Sequence, residues 1–208
     1  MAAMAKKIDT SATLLAAAKK VLRKGGYSAL STRDVATAAG VPLSQIHYHF
    51  GSKEGMMLAL FEYLNDELLH RQQAMFGNPA LKLSEQWDLA CAYLDEDLAS
   101  GYVRVLQELW AAGYSNPQIA KVVRAGILRW QDLLTLTARK AEERFGSFAG
   151  LAPEDVAALV SAAFIGGEAF ILLGAETREL PIRRALRSVG ELIRRLETGQ
   201  SKRGRDAC

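Results

Sequence analysis

The sequence predicts an all-α chain of about nine helices, a small N-terminal three-helix domain followed by a larger helical domain. Three observations predict it. Apolar residues recur at helical spacing almost without a break, and alternating strand-like runs are nearly absent. Helix start and stop residues punctuate the chain at Gly25-Gly26, Gly40, Gly77-Asn78-Pro79, Asn116-Pro117, Pro153 and Pro181. With 208 residues, half of them hydrophobic, there is enough chain to bury a real core.

The first helix runs from about Ser11 to Lys24, with Leu15, Ala18 and Leu22 inward and Gly25-Gly26 as its stop. Ser31 and Asp34 have capping-box spacing, so a second helix starts near Thr32 and ends at Gly40, which can take a positive φ. Pro42 falls in the first turn of the third helix, where Ile46 and Phe50 are four apart and face inward. A fourth helix, from Lys53 to about Met75, buries Met57, Leu58, Phe61, Leu64 and Leu68 and links the domains. Ser84 caps a fifth with Trp87, Cys91, Leu94 and Leu98 on one stripe.

Tyr102 to Ala112 forms a sixth helix. Asn116-Pro117 opens a long seventh, with Ile119, Val123, Ile127, Trp130, Leu134, Thr137, Ala141 and Phe145 on one face. Pro153 opens an eighth to about Leu173, and Pro181 a ninth to about Leu196. The expected domains are residues 1–52, residues 53–197 and a tail, 198–208, whose composition predicts disorder.

The formal charge of +3 is unevenly spread. Residues 1–55 hold eight Lys/Arg against three acids, residues 56–197 fifteen against nineteen, and the tail three against one. The basic end is therefore the nucleic-acid end. Cys91 and Cys208 are too far apart for a disulfide framework or a metal spacing. The start, MAAMAKKIDTSA, lacks an apolar signal core, and no run reaches the ~18 apolar residues that span a bilayer; AFIGGEAFILLG is interrupted by Glu168. A cytoplasmic protein with no membrane partner, no metal and no cofactor is expected. No G-x-S-x-G, H-E-x-x-H or Walker loop is present, which argues against an enzyme.

The stretch TRDVATAAGVPLSQIHYHFGSK, Thr32 to Lys53, carries most of the functional information. It reads as two short helices joined by a tight turn, the arrangement that carries a helix into the major groove. With Ile46 and Phe50 inward, Ser44, Gln45, His47, Tyr48 and His49 face elsewhere, offering hydroxyl, amide and imidazole groups to base edges or phosphates. Lys53 sits beside a helix N-terminus, which attracts phosphate. The candidate DNA-binding residues are Thr32, Arg33, Ser44, Gln45, His47, Tyr48, His49 and Lys53.

Residues 12–61 resemble the N-terminal domain of the TetR (tetracycline repressor) family of transcriptional regulators. The resemblance rests on GGYSALS, TRDVATAAGV and IHYHFGSKEGMMLAL, in order and without gaps; His47 departs from it, since tyrosine is usual there. It implies a homodimeric repressor on a palindromic double-stranded operator, released by a small, largely apolar effector.

In the last two helices, Gly166, Gly167 and several alanines permit close helix approach. They are either two core helices or, as the resemblance implies, a dimer interface made as a four-helix bundle from two copies. The interface candidates are Val160, Phe164, Gly167, Ile171, Leu186, Val189 and Ile193. The resemblance further implies a ligand cavity in the middle of the chain. Trp87, Cys91, Glu108, Trp110, Tyr114, Trp130 and Glu168 are its candidate residues, against the plainer alternative of an aromatic core and surface acids. A regulator controlled by a protein partner stays open as the alternative to a small-molecule effector.

Overall fold

A computed structural model describes residues 9–25, 30–148 and 150–203. Among them are nine α-helices: α1 Thr10–Gly25, α2 Thr32–Ala39, α3 Ser44–Phe50, α4 Lys53–Phe76, α5 Leu83–Ser100, α6 Tyr102–Gly113, α7 Pro117–Phe145, α8 Pro153–Leu172 and α9 Ile182–Arg203. No strand occurs among the described residues, and the one extended pairing there is a bridge between Phe148 and Leu151. The all-α reading is correct.

The chain forms two compact units, residues 1–66 with 99–123, and residues 67–98 with 124–208. The division passes through α4, α5 and α7.

In the first unit, α1, α2 and α3 pack on one another. Leu14, Leu22, Leu30, Val35, Ile46, Met56 and Leu60 are fully buried. Removing an aliphatic side chain of this size from water stabilises by about 1.5–3 kcal/mol. The caps follow the sequence: Ser31 Oγ accepts from the Asp34 amide at 3.1 Å, and Gly40, at φ 68, lets the Val41 amide reach back to the Ala36 carbonyl. The start of α6 belongs to this unit through Tyr102, whose ring stacks on Phe61 and whose hydroxyl donates to Asn65 Oδ1 at 2.9 Å.

The second unit has its core around Cys91, Leu94, Phe164 and Leu186, with Trp87, Trp130, Val160 and Ile171 packed against it. Arg183 and Arg187 pair with Asp95, and Arg194 with Asp88, tying α9 to α5. Asn116 Oδ1 accepts from the Gln118 and Ile119 amides and caps α7 as expected.

Three local expectations are corrected. Ser84 lies inside the first turn of α5 and does not cap it. Its amide and hydroxyl instead donate to the Glu197 carboxylate, so a side chain from α9 caps α5. Residues 198–203 continue α9 and are not a disordered tail; 204–208 lie outside the described residues. Finally, α8 has a mean hydropathy of 1.7 over a span long enough to cross a bilayer, by length and composition alone. It buries Ala157, Ser161, Phe164 and Gly167 in the unit's core.

The α3–α4 corner sets the sharpest local constraint. A Cβ on Gly55 would lie 2.1 Å from the Phe50 carbonyl oxygen, a backbone atom that cannot swing away. Gly55→Ala must therefore open the corner, and we predict a loss of about 1–3 kcal/mol in the first unit's stability. Urea unfolding followed by circular dichroism checks this; a variant as stable as the parent contradicts it.

Candidate nucleic-acid interface

The helix α3 spans only seven residues, too few to persist alone in water. It is fixed by Ile46, which has no exposed surface, and by the half-buried Phe50. Pro42 precedes the helix; its carbonyl accepts from the Gln45 amide at 3.0 Å, and the Leu43 carbonyl accepts from Ile46. Gly51, at φ 72, ends it.

With Ile46 anchored inward, the other side chains have one direction left. Ser44, His47, Tyr48 and His49 are exposed, Tyr48 by 81%, and Gln45 is half-buried. Tyr48 meets His49 edge to face, with centroids 5.0 Å apart. His47 Nδ1 lies 3.4 Å from the Gly51 carbonyl oxygen. So large an exposed aromatic beside amide, hydroxyl and imidazole groups has no use in the fold, but it can stack on a backbone sugar or hydrogen-bond a phosphate or base edge.

Thr32 and Arg33 open α2, the first half-buried and the second exposed. Lys53 is exposed at the first position of α4, where Ser52 Oγ accepts from the Gly55 amide at 3.0 Å. The N-terminus of a 24-residue helix with a lysine on it favours a phosphate. The structure thus brings all eight candidate DNA-binding residues onto α2, α3 and the start of α4 within one unit.

The candidate ligand residues do not come together in one unit. Glu108, Trp110 and Tyr114 belong to the first, with Glu108 exposed and Tyr114 83% exposed; Trp87, Cys91, Trp130 and Glu168 belong to the second. Trp87 and Trp130 both meet Phe164 edge to face, at 5.6 and 6.4 Å. Their indole N–H groups donate to the Leu186 carbonyl and to Gln72 Oε1, each at 2.7 Å. Trp87 and Trp130 pack half-buried, with satisfied indole N–H groups, against the core that includes Cys91, the plainer of the two arrangements the sequence leaves open. Burial pushes the Cys91 thiol up to about 11, partly offset by Arg187, so it is no nucleophile.

Three interface candidates are buried within their own protomer. Phe164 and Leu186 are core residues of their own protomer. A Cβ on Gly167 would sit 2.9 Å from Ile182, so this glycine serves α8–α9 packing inside the protomer. Val160 and Ile171 pack half-buried against the same core, and Val189 and Ile193 are half-buried on α9. The apolar surface left outside is a different set: Leu159 (60% exposed), Phe170 and Leu173 at α8, and Leu192 (57% exposed) and Leu196 on α9.

Sequence spacing gave no hint of one further cluster. Arg71 forks onto both Asp97 carboxylate oxygens at 2.8 Å, reaches Glu96 at 3.0 Å, and lies 4.0 Å over the Tyr93 ring. Burial pushes Asp97 up to about 6 despite Arg71. Glu168, facing the Asp97 charge, is pushed by burial up to about 8.

Residues 14–60 match the family model for bacterial regulatory proteins of the tetR family. The HTH-type transcriptional regulator CymR of Pseudomonas putida is 34% identical over 96 residues, covering 44% of this chain and 47% of that protein. The chain thus matches about half the length of this curated relative. Two solved structures share the fold. A transcriptional regulator from Saccharomonospora viridis, in complex with choline, aligns at a TM-score of 0.68 and 22% identity over 87% of this chain and 95% of that one. A TetR transcription regulator from Haloarcula marismortui aligns at 0.69 and 17% identity over 88% and 96%.

The two raised carboxyls fix a pH dependence. A carboxyl whose folded pKa exceeds its unfolded value stabilises the fold while protonated and loses that contribution as pH rises to the folded value. For Glu168 the window runs from its ordinary 4.5 to about 8. Glu168→Gln should therefore raise the Tm at pH 8 and leave it nearly unchanged at pH 5, as read by scanning calorimetry. An equal shift at both pH values contradicts the assignment.

Proposed function

We propose that this chain, whose residues 14–60 match the tetR family model, is a homodimeric repressor of that family, released from a palindromic operator by a small molecule. One observation carries the DNA-binding part. A helix anchored by the fully buried Ile46 turns its amide, imidazole, hydroxyl and phenol groups to solvent, within the basic end of the chain.

In this reading Lys53, Thr32 and Tyr48 hold backbone phosphates and Arg33 adds charge beside them. Gln45, with Ser44, His47 and His49 around it, reads base edges. Gln pairs bidentately with adenine, which is worth about 1–3 kcal/mol of discrimination. Two such helices must sit about 34–36 Å apart to enter successive major grooves, and a twofold dimer sets that spacing.

The dimer reading is supported by the apolar face left open on the second unit. Leu159, Ala162, Ala163 and Phe170 recur at helical spacing on α8, and Leu192 and Leu196 on α9. Contiguous exposed apolar surface of this kind needs cover. A second copy covers it symmetrically, with Val160, Ile171, Val189 and Ile193 at the margin. The effector reading is supported by a solved structure of the same fold in complex with choline. An effector acts by population shift, binding the protein better when the two heads are not spaced for the operator.

Three variants test this. Lys53→Ala should weaken binding about equally on all sequences and flatten the salt slope by roughly one unit. Gln45→Ala should relax preference at one position per half-site in a binding-site selection. Interchange of these two phenotypes would reverse the assignment. Leu192→Arg, at an exposed site that leaves the protomer core untouched, should give monomers in sedimentation and lower operator affinity at least tenfold. A stable dimer at micromolar concentration moves the interface elsewhere.

A further inference from the structure

Away from the tryptophans, the second unit holds an open cleft. Its volume is about 490 Å³, and it lies between the C-terminal turns of α4 and the middle of α7. This is within the range that small-molecule sites occupy, about 300–1,000 Å³. The floor is apolar: Leu69, Phe76, Leu133 and Leu136. Leu69 is buried and Leu136 is half exposed, so the floor grades from core into open apolar surface.

The charges are unequally placed. Arg129 and Asp132 lie within one turn of α7, where their formal charges cancel. Lys140 stands at the other end of the same stripe, exposed and without an ion pair among the described residues. Thr137 and Gln73 are the remaining polar groups. Arg129 to Lys140 is eleven residues, about 16 Å along the helix axis. The cleft is thus elongated, apolar along its length, and cationic at one end.

We propose that this cleft binds an elongated organic anion, an apolar chain or slender ring system ending in a carboxylate, with the carboxylate on Lys140 and the body over Leu133, Leu136 and Leu69. We further assign it as the effector site, an assignment that rests on the repressor reading above. The link to DNA is α4. Residues 53–66 of this unbroken helix belong to the DNA-binding unit and residues 67–76 to the unit that holds the cleft. An occupant pressing on Leu69, Gln73 and Phe76 acts on the helix whose first residue is Lys53. The ligand class is opposite in charge to the choline bound by the structural relative, because the unbalanced charge of this cleft is positive.

Titration calorimetry on the full-length dimer tests this with two probes of equal chain length and opposite charge, decanoate and decyltrimethylammonium, both below micelle formation. Decanoate should bind at least tenfold more tightly. Lys140→Glu should weaken decanoate at least tenfold and reverse the preference. Leu133→Trp, which fills the cleft without changing charge, should weaken both probes. In parallel, decanoate should lower the operator affinity of the wild type at least tenfold and leave that of Lys140→Glu unchanged. Absent binding, equal binding of the two probes, or decanoate binding indifferent to both variants overturns the site. Lys140-dependent binding with unchanged operator affinity overturns the effector assignment. If the wild type binds no DNA even without decanoate, the repressor reading fails, and calorimetry still decides the cleft.

Discussion

The structure depends on holding a two-turn helix that cannot hold itself. The α3 segment gains nothing from length, since nucleation in so short a helix outweighs propagation. Its position comes from Ile46, which is closed off from water and packed among α1 and α2, and from the corner made by Gly51, at positive φ, and Gly55, where a Cβ would strike the Phe50 carbonyl. Because the anchor occupies one face, the polar groups have the other to themselves. The same burial that folds the segment thus orients its functional side chains, and it explains why a seven-residue helix can carry phenol, imidazole and amide groups in fixed directions.

The second unit follows a different logic. Its core is dominated by edge-to-face aromatic contacts around Phe164, and each buried indole N–H has an acceptor. Its helices are further tied by charge: the arginines of α9 meet Asp88 and Asp95 of α5, and Glu197 caps the first turn of α5. These ties fix α9 against α5 while leaving Leu192 and Leu196 outside. Glu168 and Asp97 stand against this economy, because burying two acids near each other costs stability once both ionise.

The helices of this fold were largely legible in the chain, because helical periodicity, Asn116-Pro117, Ser31 with Asp34, and Gly40 are local signals that act within a turn. The exposure of the candidate DNA-facing residues was legible for the same reason: once Ile46 is inward, geometry turns Ser44, His47, Tyr48 and His49 outward. What failed was long-range. Ser84 has the residue type of a cap, but its partner is a carboxylate 113 positions later. Phe164 and Leu186 lie in the protomer core, and apolar spacing cannot say which of two apolar faces turns inward on a helix that is apolar nearly all round. For Trp87 and Trp130 the sequence leaves core and cavity both open, because size and polarity are shared by core and pocket aromatics; only their neighbours distinguish the two. The α4–α7 cleft joins residues about sixty positions apart and carries no sequence signature.

The central claim is that α3 enters DNA while the second unit remains outside it. Amide hydrogen exchange by mass spectrometry, with and without a duplex from the promoter region flanking the coding sequence, tests it most directly. Peptides covering residues 31–53 should gain protection on binding, and those covering residues 153–172 should not. Binding that leaves residues 44–53 exchanging as in the free protein would contradict the account, whatever the affinity.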